Sequence, residues 1–486
     1  MFDRTYTRKG FLRGLAVIGA GAVAGPILAA CSSSSPAAPA APTASSAAAS
    51  SAAASSSSAS SAKPAATAAP ASNGPIRVVV SGPGFMLKDV NLALFATKYN
   101  GTQDKVVIQP ELTPAGPWYQ KLAAEVNSNQ VTYNAILYAN SYSNTPQFAG
   151  MGILQPIQDL LRSSSISGSQ SRFSEMFAPA QTNASYKGVL YGYPLGIQYT
   201  STTMRKDYAD GAGYTGDISA SYDEMTKAAT LIRQKYKSKN VVGLSLEEES
   251  GNGTISYMYW SMAQQPFVKK QIKGQEISFL DFKGKDFIRT LQQIKDWVDQ
   301  DLTVSKTQAM DINFKAWQGG VAGINMQESS LGYVTGGPLF GKDNVLPSVP
   351  LPISGGNGGC LTYFVNTLIP AKAPHPQEAL DWLLWTNDPK NTDFMNNILS
   401  YHWYPVFKSV VSDIMEKSPD YKWMSVWGPQ IDKSIPYPND NPYYNLNTAL
   451  INKHATKLWD GEYKSAEECA TALDKDVTDS TTRQMA

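Results

Sequence analysis

The stretch "IRVVVSGPGFMLKDVNLALFATKYNGTQDKVVIQPEL" (76–112) decides the fold class. It begins with a strand pattern (76–81), continues with the apolar spacing of a helix (90–100) and returns to a strand pattern (105–112). Another strand pattern follows at 134–140, after a further helical segment. Apolar strands that alternate with helices predict βαβ units, and therefore a mostly parallel sheet with helices on both faces.

The ends of these strands indicate where a ligand would bind. Sheets of this kind bind ligands beyond the carboxyl ends of their strands. Two such ends, 81–85 and 138–142, carry hydroxyl, amide and aromatic side chains, and we expect them to face one crevice. From residue 76 onward the chain has about 410 residues, which is enough for two lobes of ordinary domain size.

A secretory signal is predicted at the N-terminus. Four basic residues precede an uncharged apolar run at 14–30, which ends in small residues. The run is short for a membrane helix, which needs roughly 20 apolar residues. Its end, Leu28-Ala29-Ala30-Cys31, resembles a lipobox, in which the cysteine is lipidated and the chain is cut just before it. An ordinary secretory signal with a chance cysteine is the alternative.

Residues 31–75 are predicted to be a disordered tether. From 32 to 74 they are almost wholly Ala, Ser, Pro and Thr, with Lys63 as the only charge, so they cannot bury enough apolar surface to offset chain entropy. A flexible coil of this length has a mean reach of roughly 36 Å. Upstream, "TRKGFLR" (7–13) resembles the twin-arginine export motif, with Lys9 in place of the second arginine. General secretion is the alternative route.

The composition argues against several classes of function. The chain has 41 Lys and Arg against 40 Asp and Glu, and removing residues 1–30 leaves 37 against 39, so no basic excess points to nucleic acid. GxSxG, P-loop and HExxH patterns are absent from the sequence. Its few, widely spaced His and Cys residues argue against a zinc site, and neither a metal nor a cofactor is predicted. Cys360 and Cys469 are predicted to be free and buried, with one disulfide as the alternative.

Six segments, in order along the chain, resemble the extracellular solute-binding proteins of ABC importers, in the sugar-binding group that includes maltose-binding protein. They are "QFAGMGILQPIQDLL" (147–161), "YKGVLYGYPLGIQYTSTTMRKDYAD" (186–210), "SASYDEMTKAATLIRQ" (219–234), "FKAWQGGVAGINMQ" (314–327), the proline–glycine loop, strand and helix at 351–385, and "YHWYPVFKSVV" (401–411). Two departures stand out: Met204-Arg205 replaces the usual Tyr-Asn, and 437–463 fits the family only loosely.

The resemblance implies a two-lobe periplasmic-binding-protein fold of type II, α/β in class, with a mostly parallel sheet in each lobe and a ligand cleft at the hinge. The chain would cross between lobes near Ile197 to Thr200, near Gly359 to Thr362, and after "YPVFKS". The implied boundaries are a signal peptide at 1–30, a tether at 31–75, an N-terminal lobe at 76–197 and 362–412, and a C-terminal lobe at 201–360 and 413–486.

The implied function is that of a substrate-binding lipoprotein of an ABC importer. It would capture a mono- or oligosaccharide and deliver it to a membrane permease, as a monomer held extracytoplasmically by a lipid on Cys31. A surface adhesin or sensor without transport is one alternative. A glycan-active enzyme is another, but it would need two carboxylates about 5 to 9.5 Å apart across a cleft. Glu328 could be one of them, and the sequence shows no convergent partner.

Candidate ligand residues are aromatic and amide side chains at strand ends and crossings, because aromatic planes suit the C–H faces of a sugar and amides suit its hydroxyls. They are Ser81, Phe85, Tyr138, Asn140 and Tyr142 in the first lobe, Gln198 and Tyr199 at the hinge, and Trp260, Gln327, Glu328 and Ser329 in the second lobe. The resemblance adds Trp403, which precedes a loop that closes over the cleft in the family, and Tyr443 and Tyr444, near a position where relatives present an aromatic residue.

Several of these residues have a plainer interpretation. Tyr138 and Trp260 could pack in the core, and Glu328 could be a solvated loop charge. Trp403 is the strongest aromatic candidate, since the aromatics of "YHWYPVF" look hard to bury together. We expect Tyr138 and Trp403 to stack on the sugar, and Gln327 and Glu328 to bind its hydroxyls.

Overall fold

The computed structural model describes residues 74–88, 90–113, 118–139, 144–246, 253–303, 311–328, 331–438 and 440–485. The predicted signal peptide, the lipobox with Cys31 and nearly all of the tether lie outside these residues, as do Asn140, Tyr142 and Ser329.

Eleven strands are present in the described part of the chain. They are β1 (Ile76–Gly82), β2 (Val106–Leu112), β3 (Ala135–Ala139), β4 (Ser185–Tyr186), β5 (Val189–Leu190), β6 (Gly192–Met204), β7 (Val242–Ser245), β8 (Phe267–Ile272), β9 (Gln275–Leu280), β10 (Ala322–Glu328) and β11 (Thr362–Leu368).

The helices that flank the strands are mostly short. Their bounds are Gly84–Lys88, Leu92–Asn100, Trp118–Ser128, Asn144–Gly150, Gln158–Ser163, Ser169–Ser174, Ala178–Asn183, Lys206–Gly211, Tyr222–Tyr236, Gly253–Met262, Lys285–Asp299, Asp311–Gln318, Leu331–Phe340, Pro376–Thr386, Thr392–Ser400, Lys408–Val410, Gly428–Asp432, Tyr444–Trp459 and Ala466–Gln484. Tighter 3₁₀ turns occupy Lys237–Lys239, Lys342–Asn344 and Lys422–Trp427, and a π turn occupies Val411–Met415. The strand and helix patterns predicted between 76 and 140 are confirmed, with ends that differ by one or two residues.

Seven of the strands form one sheet in the order β2-β1-β3-β11-β6-β10-β7. β1 is parallel to β2 and β3, and β10 is parallel to β7. β11 is antiparallel to both β3 and β6, and β10 is antiparallel to β6. The predicted α/β class with a parallel-rich sheet is therefore confirmed, and the antiparallel pairs occur where long connections return the chain to the middle of the sheet.

β6 joins the two halves of this sheet. All thirteen of its residues are buried, as expected for a central strand that has neighbours on both sides and helices over both faces. It pairs with β11 up to Tyr199, which lies opposite Thr362, and with β10 from Thr200, which lies opposite Glu328. The change of partner falls in the stretch where the first crossing is predicted. The lobe boundaries themselves stay predictions.

Two large hydrophobic cores lie on either side of this change of partner. The first core contains Val78, Leu137 and Phe364, and the second contains Leu244 and Ile324. We call the parts of the chain around them the first lobe and the second lobe.

The return from the first lobe to the second comes late in the chain. Met415, Met424, Trp427 and Ile431 pack in the first core, whereas Tyr437 packs in the second. This packing favours a third crossing between Ile431 and Tyr437 rather than directly after residue 412. The reason is local: the 3₁₀ turn Lys422–Trp427 directs Met424 and Trp427 back onto the first core.

The glycine run at 355–359 is packed against the second lobe. A Cβ on Gly356 would lie 2.5 Å from the carbonyl oxygen of Ser261, and one on Gly359 would lie 2.6 Å from that of Lys433. Both positions therefore require glycine, because the backbones approach too closely for any side chain. The predicted hinge role of this run stays a prediction.

Met204-Arg205, the departure from the family pattern, has a packing explanation. The Arg205 guanidinium lies between the rings of Tyr208 and Phe340, at 4.2 and 4.0 Å from their centroids. It also forms a 2.5 Å ion pair with Asp207. The arginine therefore covers the end of β6, held between two aromatic rings by cation–π contacts.

Both described cysteines are free and buried, as predicted. Burial raises the pKa of the Cys360 and Cys469 thiols to about 12, so both are protonated and inert at neutral pH. Among the described residues, no helix combines the length and apolar character needed to cross a membrane, and no group of three or more His, Cys, Asp or Glu is arranged to hold a metal ion.

Candidate functional site at the lobe boundary

The carboxyl end of β1 contributes Ser81 and Phe85 from the first lobe. Ser81 is 2% exposed, and its hydroxyl forms a hydrogen bond with the Thr113 hydroxyl just beyond β2. Phe85 is partly buried on the following helix and stacks on Tyr401, with ring centroids 6.4 Å apart and planes 13° from parallel. Ser81 therefore fixes the end of the strand, while Phe85 and Tyr401 present partly accessible rings.

Gln198 and Tyr199 lie next to the change of partner in β6, and both are buried. The Tyr199 ring packs 4.6 Å from Trp427 and 6.2 Å from Tyr404. The Trp427 indole N–H donates to the Thr200 carbonyl at 3.0 Å. Tyr199 is thus a core residue here, and its contact with a ligand stays a prediction.

The second lobe contributes a buried polar layer next to the crossing. Gln327 is 6% exposed; its side-chain oxygen accepts a 2.9 Å hydrogen bond from Asn325, and its backbone oxygen accepts one from Ser201 at 3.1 Å. Thr203 and Ser245 lie beside Asn325 on the neighbouring strands, on the same face of the sheet. Such hydrogen bonds fix the orientation of the Gln327 amide.

Gly332 explains how a helix can cover this polar layer. A Cβ at this position would lie 2.7 Å from the Asn325 side-chain nitrogen and 3.0 Å from the Thr203 hydroxyl. The helix Leu331–Phe340 can therefore approach the sheet closely only because residue 332 has no side chain. Glu328, the last residue of β10, pairs with Thr200 through the backbone.

Trp260 is a core residue of the second lobe, so its packing alternative is the correct one. Its indole N–H donates to the Ile435 carbonyl at 2.7 Å, and its ring lies 4.8 Å from Tyr437. Burial of both faces and of the polar end leaves no surface for a ligand. Tyr443 is partly buried against the same core, and its backbone N–H donates to the Asn441 side chain at 3.0 Å. Tyr444 begins the following helix.

Trp403 is fully buried, and the expectation that the aromatics of "YHWYPVF" resist burial together is wrong. The indole packs directly on Gly196 of β6, where a Cβ would lie 2.8 Å from the Trp403 ring. Tyr401 packs edge-on at 5.3 Å, and Tyr404 pairs with Ile197 through the backbone. Among the described residues the Trp403 indole N–H has no hydrogen-bond partner. Trp403 therefore packs in the first core and supports β6 next to the change of partner.

Three residues that the sequence analysis did not single out meet where the lobes touch. Tyr333 follows β10 and packs on the second lobe, whereas Trp423 packs on the first core. Their ring centroids are 5.3 Å apart. His402 lies 6.3 Å from Tyr333 and 5.5 Å from Trp423. Nothing in the sequence around any of the three indicates this contact between the lobes.

His402 has an unusual environment for an imidazole. Its backbone is left-handed, with a φ of 58°, and its Nδ1 has no hydrogen-bond partner among the described residues. Burial lowers the pKa of His402 to about 4, so the ring is neutral at physiological pH. The boundary thus combines aromatic planes, a neutral imidazole and a fixed amide.

The structure brings some predicted residues together and separates others. The crossing brings together Gln198, Tyr199, Gln327 and the backbone of Glu328. Phe85 lies beside Tyr401, whose ring packs on Trp403. Trp260 belongs to the second core and is removed from the candidate site. Tyr138 lies in β3, one residue before Ala139, which pairs with Asn366; its contact with a ligand stays a prediction.

The chain resembles known proteins in sequence and in structure. The sequence pattern of the family described as bacterial extracellular solute-binding protein matches residues 94–422, which is more than half of the 486-residue chain. At the level of sequence alone, no curated protein gives a significant match.

Among solved structures, the sugar-binding protein MalE from Xanthomonas citri superposes with a TM-score of 0.68 at 15% identity, covering 84% of this chain and 98% of that one. The GacH receptor of Streptomyces glaucescens gives 0.65 at 17% identity, covering 84% and 99%. The galacto-N-biose-/lacto-N-biose I-binding protein of an ABC transporter from Bifidobacterium longum gives 0.64 at 16% identity, covering 85% and 99%. These similarities establish the two-lobe fold.

Proposed function

The chain belongs to the family of bacterial extracellular solute-binding proteins, and we propose from this premise that its solute is a carbohydrate, either a mono- or an oligosaccharide. The observation that carries the proposal is the combination of partly buried rings with a fixed amide layer at the lobe boundary. Phe85, Tyr401, Tyr333 and Trp423 offer aromatic planes, and Gln327 offers an amide held by Asn325. This is the pairing of surfaces that a sugar requires.

The structural relatives support this choice of ligand class. MalE from Xanthomonas citri is a sugar-binding protein, and the Bifidobacterium longum protein was solved in complex with lacto-N-biose. The latter serves an ABC transporter. We infer that this chain likewise delivers its ligand to a permease of an ABC importer, as a monomer and without a chemical step.

The proposed location follows from the family and from the N-terminus. Extracellular solute-binding proteins work outside the cytoplasm. The lipobox-like Leu28-Ala29-Ala30-Cys31 supports a lipid anchor on Cys31, with residues 32–74 as its tether. An anchored capture protein remains close to a membrane permease, which gives the delivery step a high effective concentration.

The proposed binding roles take account of the packing. Gln327 and Glu328 would bind sugar hydroxyls from the second lobe, together with Ser329. Phe85 and the strand-end residues Tyr138, Asn140 and Tyr142 would contact the sugar from the first lobe, and Tyr443 and Tyr444 would lie at the edge. Trp403 would hold the first-lobe wall in place rather than stack on the ligand itself.

A thermal-shift screen tests the ligand class. The full chain is heated alone and with maltose, maltotriose, lacto-N-biose or tagatose, and separately with single amino acids and dipeptides. A ligand that binds only the folded state raises its stability, by about 2.7 kcal/mol at a concentration of 100 times Kd. We expect at least one sugar to raise Tm and the amino acids and dipeptides to have no effect; stabilisation by an amino acid or peptide alone would refute the carbohydrate assignment.

A matched pair of variants then tests the site. Gln327→Ala should weaken the best sugar about threefold to tenfold, the range for one lost hydrogen bond. Gln234→Ala, on an exposed helical position of the second lobe, should leave the affinity unchanged. Equal affinities for both variants in calorimetry would place the sugar elsewhere.

A surface adhesin or sensor that binds the same sugar remains the second candidate. It shares the binding site and differs only in having no permease partner. Sugar uptake by cells that carry and lack the protein separates the two, since only an import role predicts loss of uptake in the deletion strain.

A further inference from the structure

The contact between Tyr333 and Trp423 joins the two lobes outside the strands that connect them. Tyr333 is held by the second lobe, because it lies on the helix Leu331–Phe340 and packs on the cluster that contains Trp317 and Val345. The adjacent Gly332 lies directly over Asn325. The Tyr333 ring therefore moves with the second lobe.

Trp423 is held by the first lobe. Its indole N–H donates to the Asp420 carbonyl at 2.8 Å, and its ring packs on the first core beside the buried Met424 and Trp427. The ring centroid of Trp427 lies 5.9 Å from that of Trp423. The Trp423 ring therefore moves with the first lobe.

The turn that carries Trp423 lies across the point where β6 changes partner. Trp427 donates to the Thr200 carbonyl and packs on Tyr199, the two residues on either side of that change. Hinge motions concentrate in a few residues at such connections. A rotation of the lobes about Tyr199 and Thr200 would therefore change the distance between the rings of Tyr333 and Trp423.

We propose that Tyr333 and Trp423, with His402 packed beside them, form a clasp that holds the lobes in the arrangement of this structure before any ligand arrives. Rings from both lobes meet in an edge-to-face contact, the geometry that aromatic pairs favour. The clasp shifts the population of the free protein toward this arrangement.

Small-angle scattering on the ligand-free full chain tests the clasp. Tyr333→Ala removes the ring, and Tyr333→Phe keeps it. Tyr236→Ala is the matched control, because the Tyr236 ring packs against Tyr208 at 4.8 Å within the second lobe alone. The clasp predicts a radius of gyration for Tyr333→Ala that differs from that of the wild type, and the wild-type value for Tyr333→Phe and Tyr236→Ala.

A wild-type radius of gyration for a cooperatively melting Tyr333→Ala would overturn the proposal. Trp423→Ala tests the same contact from the first lobe and serves if Tyr333→Ala does not fold. The double variant should change the radius of gyration no further than either single one, because each removes the whole contact; an additive change would also overturn the proposal. No ligand is added, so the result does not depend on the carbohydrate assignment.

Discussion

Acidification should destabilise the folded protein through His402. The imidazole is partly buried between rings from both lobes, and burial lowers its pKa from 6.5 to about 4. In the unfolded chain the same group takes up its proton near pH 6.5. Between these two pH values the unfolded state therefore binds more protons than the folded state, and stability falls as the pH falls.

The size of the effect follows from the two pKa values. The full difference corresponds to at most about 3 kcal/mol, lost by about pH 4, of which about 2 kcal/mol is already lost at pH 5. Above pH 7 the contribution is constant, because the ring is neutral in both states. The partial exposure of His402 makes these values upper bounds.

Urea denaturation at pH 7 and pH 5 measures the effect. His402→Asn is the reference variant, because asparagine tolerates the left-handed backbone at this position. The difference in unfolding free energy between wild type and His402→Asn should shift by up to about 2 kcal/mol against the wild type on going to pH 5. His454, whose pKa is also lowered, chiefly by burial, is present in both proteins and cancels.

His402 could also become protonated without unfolding, if the lobes separate and expose its ring to water. If exposure of His402 by opening costs less than unfolding, the radius of gyration of the wild type should rise between pH 7 and pH 5, while that of His402→Asn stays constant. A difference in stability that does not change with pH, together with a constant radius of gyration, would refute the assigned burial of this imidazole.

Four further changes have defined outcomes. Trp403→Ala should lower the free energy of unfolding by about 3 to 5 kcal/mol in urea denaturation, as for other buried aromatic residues, and a loss below about 1 kcal/mol would contradict its core position. Gly196→Ala should cost about 1 to 3 kcal/mol in the same assay, since its Cβ would meet the Trp403 ring at 2.8 Å; neutrality would mean that the ring can move aside. Tyr138→Ala should weaken the best sugar of the screen by about 1 to 3 kcal/mol in calorimetry, and unchanged binding would remove it from the site. Cys31→Ser should move the protein from the membrane to the soluble fraction, and continued detergent partitioning would exclude a lipid anchor at this residue.

The strand and helix alternation was predictable because each element carries its own signal. The apolar patterns at 76–81 and 105–112 correspond to β1 and β2, and the helical spacing at 90–100 corresponds to Leu92–Asn100. The position of Gln327 near the end of β10 was also predictable, because "VAGINMQ" is a strand pattern that ends in a polar residue.

The burial of the tryptophans was not predictable, because it depends on distant partners. Trp403 is buried by Gly196, and Trp260 by Ile435 and Tyr437. Nothing in the sequence near either tryptophan indicates these packing partners. An aromatic residue beside a proline loop has the same local pattern whether it faces a cleft or a core.

The clasp residues were missed for a related reason. Tyr333 lies in "LGYVTGGP", which has no clear amphipathic period, and Trp423 lies in a short 3₁₀ turn. Each is unremarkable in its own segment. Their importance comes from the contact between lobes, which a segment-by-segment interpretation of the sequence does not reach.

β6 pairs with one strand of each lobe, and this determines the order in which the chain can fold during synthesis. β6 leaves the ribosome early, but its partners on either side, β10 and β11, are made much later. Until then β6 has open edges, and the first core also waits for Met424, Trp427 and Ile431. Neither lobe is therefore an autonomous folding unit, and non-local pairing of this kind is slow. A nascent chain stalled before β10 should remain sensitive to protease throughout.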